Sequence, residues 1–112
     1  MKIHDLKLSA EPFNAIASGQ KTIESRLYDY KRKKIELGDI IVFINREEPS
    51  QTLKVHVVGL LRYKTFNDLF SNHEVAKFGG TNKDRLIDQI REFYSDADEV
   101  NNGVIGIQFK LI

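Results

Sequence analysis

Apolar positions along the chain switch between a period of two and a helical period several times. Ile3, Leu6 and Leu8 alternate loosely and predict a short strand over 3–8. Pro12 suits the first turn of a helix, and Phe13, Ile16 and Ala17 then share one face before Gly19 stops it. About two turns of helix are too short to stand alone in water, so this one must pack on something. Over 21–28 the alternation is clean: Ile23 and Leu27 point one way, and Thr22, Glu24 and Arg26 the other. A basic loop follows over 29–37 and closes at Gly38-Asp39. Ile40–Ile44 then reads as a buried strand, and 45–51, with Pro49, as a hairpin connection. A long strand over 52–63 carries Gly59 inside it, where a bulge or bend is expected.

Helical signals return after Tyr63. Phe66–Phe70 spans one or two turns, and Gly79-Gly80 breaks the chain. Thr81 followed by Asp84 resembles a capping box, ahead of the stripe Leu86, Ile87, Ile90, Phe93 and Tyr94. Ile105, Ile107, Phe109 and Leu111 alternate with Gly106, Gln108 and Lys110 as a last strand. The elements make an α+β chain without the βαβαβ alternation of a doubly wound sheet, and a small, mixed, partly closed barrel with helices at its rim fits them best. Ile23, Leu27, Val42, Phe43, Val55, Val57, Ile105, Ile107 and Phe109 are expected to form one core beneath Leu86, Ile90 and Phe93.

Length and composition narrow the function classes. A chain of 112 residues is expected to form one domain with a single core. With no cysteine, disulfides, thiolate metal sites and cysteine nucleophiles are excluded. The longest strictly apolar run, Ile40–Ile44, is far short of a membrane span, and the N-terminus lacks the pattern of a secretory signal, so a cytoplasmic protein is expected. His4, His56 and His73 lack the spacing of metal ligands, and no Gly-rich phosphate loop occurs, so neither a metal nor a cofactor is expected. The net charge is only +1, but it is unevenly spread. Residues 21–34 hold six basic residues against two acidic ones, and residues 84–99 the reverse. Such a division suits a local anion-binding surface, or simply two solvated faces.

Candidate chemistry concentrates between Gly19 and Leu27. Glu24 and Arg26 share a strand face. They form either an ordinary surface ion pair or, if that face lines a cleft, a ligand site with Lys21. Arg26 would clamp a phosphate or carboxylate, Lys21 would act as a point charge, and Glu24 would accept from an exocyclic amine. Arg62, Tyr63 and Lys64 add two cations and a ring able to stack on a base.

Three segments together resemble the ASCH domain of the PUA-like superfamily. They are Gly19-x-Lys21-Thr22-x-Glu24-x-Arg26, Gly38-Asp39 ahead of an apolar strand, and Val58-x-x-Leu61-Arg62-Tyr63-Lys64-Thr65-Phe66-x-x-Leu69. Gly103-Val104-Ile105-Gly106-Ile107 is similar to the family's closing strand. The resemblance implies a pseudo-barrel of five or six strands with helices around a cleft. It also implies RNA or nucleotide binding, with Lys21, Thr22, Glu24, Arg26, Arg62, Tyr63 and Lys64 as binding residues. Some small bacterial relatives are amidohydrolases that deacetylate N4-acetylcytidine through a Lys, a Thr and a Glu. Lys21 matches their lysine, Glu24 stands at their threonine position, and Glu74 is a candidate for the glutamate. On that alternative, Lys21 and Glu24 would be the catalytic pair.

Overall fold

The computed structural model describes residues 1–112. The strands are β1 (Ile3–Leu8), β2 (Ile23–Leu27), β3 (Ile40–Asn45), β4 (Thr52–Tyr63) and β5 (Val104–Leu111). The helices are α1 (Ala10–Ala17), α2 (Phe66–Ser71), α3 (Lys83–Arg91) and α4 (Asp96–Asn102), with 3₁₀ turns at Arg32–Lys34 and Val75–Phe78. One sheet runs in the order β1-β3-β4-β5-β2, with β1 and β3 parallel and the other pairs antiparallel. It curls into a mixed half-barrel, so the α+β class and the partly closed barrel read from the sequence are what the chain adopts. The register of β4 against β5 slips between Val57 and Gly59, where the isolated glycine placed a bulge. No helix is long and apolar enough to cross a membrane.

The edge strands β1 and β2 meet across the open seam of the half-barrel, and a side chain bridges them: Arg26 Nη2 donates to the Lys7 carbonyl at 2.9 Å. The helix α1 begins at Ala10 with Pro12 in its first turn, buries Phe13 and Ile16, and ends before Gly19, whose φ of 83° takes the left-handed turn. Behind it the chain enters β2 through Lys21 N–H to the Ala15 carbonyl and Thr22 N–H to the Lys77 carbonyl. Those two backbone bonds place the charged strand between α1 and the turn at Val75–Phe78.

Four expectations need correction. The buried apolar residues divide into two clusters instead of one. Phe43, Val55, Val57, Ile105, Ile107 and Phe109 fill the concave side with α1, while Ile23 and Leu27 pack on the other face against α2, α3 and Val104. A five-stranded sheet has two faces, and strict alternation along β2 sends alternate residues to each. Val42, expected in the core, is only half-buried. The helical stripe also does not continue through Tyr94. The helix α3 ends at Arg91, Phe93 is 64% exposed, and a separate helix α4 follows. Ser95 starts α4 with a capping box closed by Asp98, a pattern legible in Ser95-Asp96-Ala97-Asp98 but hidden by the apolar period running over it.

Finally, α3 is capped by Asn82, whose side chain accepts from Arg85 N–H at 2.9 Å, and not by Thr81. Asn ranks above Thr at this position because its carbonyl oxygen reaches the second or third N–H of the helix with little strain. Asn82→Ala is therefore expected to cost about 0.5–2 kcal/mol of stability, and Thr81→Ala much less. Urea unfolding of the two variants checks this, and equal losses would reassign the cap.

Candidate ligand cleft

The seam between β1 and β2 opens into a cleft of about 880 Å³. Its floor is Lys21, Glu24, Ser25 and Arg26 of the β2 segment. One wall is α1 and the residues leading into it, and the other is α3 with Phe93 and Tyr94 just beyond its end. Glu24 and Arg26 of the strand's polar face thus line a cavity and not open solvent, while Thr22 of the same face does not.

Glu24 sits at the centre. It lies opposite Ile107 of β5 and is only 4% exposed. A carboxylate this deep requires partners for both oxygens. Lys21 Nζ meets Oε1 at 2.7 Å, and Arg26 Nε donates to Oε2 at 2.8 Å. Burial alone would raise the Glu24 pKa, but the attraction of Lys21 and Arg26 outweighs it and lowers the value to about 2. Burial likewise pulls the Arg26 pKa down, and Glu24, then the Tyr94 phenol, more than reverse that and raise it. The cluster carries a net charge of +1. It also holds more N–H donors than Glu24 and the Lys7 carbonyl use, since ammonium has three and guanidinium five. An acceptor-rich group, such as a phosphate or a carbonyl oxygen, is the complement such a floor selects.

The Lys21 stem is held from behind by Gly79. That residue closes the turn at Val75–Phe78 with φ of 80°, and a Cβ there would lie 3.3 Å from Lys21 Cβ and Cδ. A side chain at 79 would both strain the backbone and push the lysine off its partner.

The other residues singled out in the sequence are distributed differently. Thr22 is exposed and does not line the cleft; its backbone is tied to Lys77 and Phe109. Glu74 is exposed ahead of the turn at Val75–Phe78 and is also absent from the lining. Arg62, Tyr63 and Lys64 lie two strands away, with β5 between them and β2, and line a separate recess of about 270 Å³ with Tyr28. Tyr63 turns its hydroxyl to His73 Nε2 at 3.0 Å. The basic segment 21–34 is not one surface either. Lys21 and Arg26 are committed to Glu24, and Arg32 to Asp29 at 2.8 Å, while Lys31, Lys33 and Lys34 stay exposed.

Sequence reasoning missed Tyr94, Lys7 and Arg46. Tyr94 counts as core by helical periodicity, yet it is half-buried, stacks on Phe66 at 5.8 Å and reaches the cleft. Lys7 and Arg46 add two cations to the lining from remote parts of the chain, and nothing in their local sequence signals it.

Comparison with known proteins agrees with the fold. The family model for the ASCH domain matches residues 6–112. No curated protein matches. Among solved structures, the chain is similar over its full length to the hypothetical protein PH0355, at 32% identity, complete coverage of both chains and a TM-score of 0.86. It is also similar to PF0455 from Pyrococcus furiosus, at 30% identity and a TM-score of 0.77, covering all of this chain and 98% of that one. The ASCH protein of Zymomonas mobilis, at 16% identity, shares the fold with a TM-score of 0.66 over 95% of this chain and 65% of that one.

Proposed function

Since this chain belongs to the ASCH domain family, with its PUA-like half-barrel, we propose that it binds RNA or a nucleotide in the cleft between β1 and β2. The observation that carries this reading is the buried Lys21–Glu24–Arg26 cluster on the cleft floor. Spare donors on the two cations receive a phosphate or base carbonyl, and Glu24 keeps them oriented. Phe93, exposed at the rim, offers a ring face to a base, and about 880 Å³ suits a ligand of nucleotide size.

The alternative, hydrolysis of a modified nucleoside such as N4-acetylcytidine, is less well supported. A carboxylate with a pKa of about 2 is a weak base at neutral pH, far from the value general base catalysis needs. The chain has Glu24 where the hydrolases carry their threonine, and neither Thr22 nor Glu74 lines the cleft. Calorimetric titration with cytidine monophosphate tests the binding reading. Wild type is expected to bind, and Lys21→Gln and Arg26→Gln are each expected to weaken binding about tenfold or more, the worth of a charged hydrogen bond. Unchanged affinity in both variants would remove the cleft as the site. Rapid release of acetate from N4-acetylcytidine, abolished by Lys21→Ala, would replace binding with hydrolysis.

A further inference from the structure

The sheet has a second face that the cleft leaves unused. Leu6 and Leu8 of β1, Ile41 and Phe43 of β3, and Val55 and Val57 of β4 turn into the concave core. Alternation therefore sends Asp5, Val42 and Lys54 to the opposite, convex side. The helices lie elsewhere: α1 packs within the concave core, and α2 and α3 cover the convex side at Ile23, Leu27 and Val104. What stays uncovered on β1, β3 and the start of β4 is an apolar patch. Ile40, Val42 and Ile44 run along β3 only half-buried, and Ile3, paired with Ile40, is 67% exposed. Ile112, whose N–H donates to the Lys54 carbonyl, is 64% exposed. Contiguous apolar side chains left in water mark an interaction surface.

The charges on the patch say what covers it. Asp5, Val42 and Lys54 form one row across three strands, since Asp5 is paired with Val42 and Val42 with Lys54. Two strand spacings, roughly 10 Å, separate the acid from the base. Both are exposed, and neither forms an ion pair within the chain. A two-fold axis lying above β3 and parallel to it exchanges left and right across this row. Val42 then meets its own counterpart, while Asp5 of each copy meets the partner's Lys54. Ile40 and Ile44 stack on their counterparts along the axis. In the flanking rows Ile3 comes to face His56, and Lys7 to face Thr52. No two side chains of like charge are directly opposed. Such a pair of sheets packs about 10 Å apart with strands within about 30° of parallel.

We propose that this chain forms a two-fold symmetric homodimer through the convex face of β1, β3 and β4. Ile40, Val42 and Ile44 seal it, and two Asp5–Lys54 pairs fix its register. The patch is only three strands wide, small beside a permanent interface, so the dimer is a reversible one. Glu24 and Arg26 lie on the same side of the sheet as Ile107 and Ile105, the concave one, so both clefts stay open in the dimer.

Sedimentation equilibrium on a dilution series from about 1 mM downward tests it. Wild type is expected to approach twice the 12.9 kDa of one chain at the top of the series and to dissociate on dilution. Val42→Glu puts two carboxylates on the axis and should hold the protein monomeric throughout. Asp5→Lys and Lys54→Asp should each raise the dissociation constant about tenfold or more, because symmetry makes each oppose like charges twice. The double reversal Asp5→Lys/Lys54→Asp remakes both pairs and should return the constant close to that of wild type. Asp5 and Lys54 are exposed, and a thermal melt verifies that each variant folds. A wild type still monomeric near the top of the series would overturn the proposal and leave the face to a different partner. So would a dimer indifferent to Val42→Glu, which must be built elsewhere on the chain. Single reversals without effect, or a weakening that the double reversal does not rescue, would overturn the two-fold register.

Discussion

Replacing Glu24 with alanine is expected to destabilise the fold by about 3–5 kcal/mol, the usual consequence of removing one member of a buried charge pair. Two cations, Lys21 and Arg26, would be left facing each other in the seam with their shared counter-charge gone. Their side chains keep 12% and 14% exposure and can draw some water, which places the effect at the lower end of that range. Glu24→Gln preserves the shape and isolates the charge. Its signature is in the pH dependence. The Glu24 pKa falls from 4.5 to about 2 on folding, so between those values the unfolded chain binds more protons than the folded one. Stability from this group is therefore complete above about pH 4.5 and is lost as pH falls toward 2. Asp39 contributes to the same acid limb. Burial raises its pKa, but hydrogen bonds from His4, Lys2 N–H and Glu36 N–H outweigh that and bring it from 3.8 to about 2. Urea midpoints measured from pH 7 to pH 2 should thus show a shallower acid limb in Glu24→Gln, with the Asp39 part remaining. An acid limb identical to that of wild type would mean that the carboxylate is not held between the two cations.

Truncation of Ile107 to alanine is expected to cost about 2–5 kcal/mol, the range for removing a buried branched side chain and leaving a cavity. Ile107 has no exposed surface and sits in β5 between Glu24 of β2 and Leu60 of β4. It is held by neighbours on both sides, and so it cannot relax into the space left behind. The same substitution at Val58, in β4 but 49% exposed, should change stability by no more than about 0.5 kcal/mol. An unchanged denaturation midpoint for Ile107→Ala would show that β5 does not carry the core. Because Ile107 lies directly across from Glu24, the variant should also weaken ligand binding in the cleft beyond what partial unfolding explains.

The elements themselves were legible in the chain because their causes are local. Alternation in β2 and β5, Pro12 at the head of α1, Gly19 at its end and Gly59 at the bulge each act within a few residues, and all appear where that chemistry puts them. The end of α3 was misread for an equally local reason. Apolar spacing through Tyr94 masked the Ser95–Asp98 capping box, and a cap that satisfies backbone N–H groups outweighs one more turn of stripe. The shared face of Glu24 and Arg26 also follows from the period of two. Whether that face meets water or a cavity does not, since it depends on where β1, α1 and α3 arrive, and they come from sequence positions far from β2. Only the tertiary structure put the Lys7 carbonyl on Arg26, Gly79 behind Lys21 and Tyr94 at the cleft, and only it moved Arg62 and Lys64 out to a recess of their own. Secondary structure answers to neighbours along the chain. The burial of Glu24 comes from the seam of the half-barrel, which exists only once the two edge strands have been brought together, and its low pKa comes from Lys21 and Arg26, whose charges outweigh that burial.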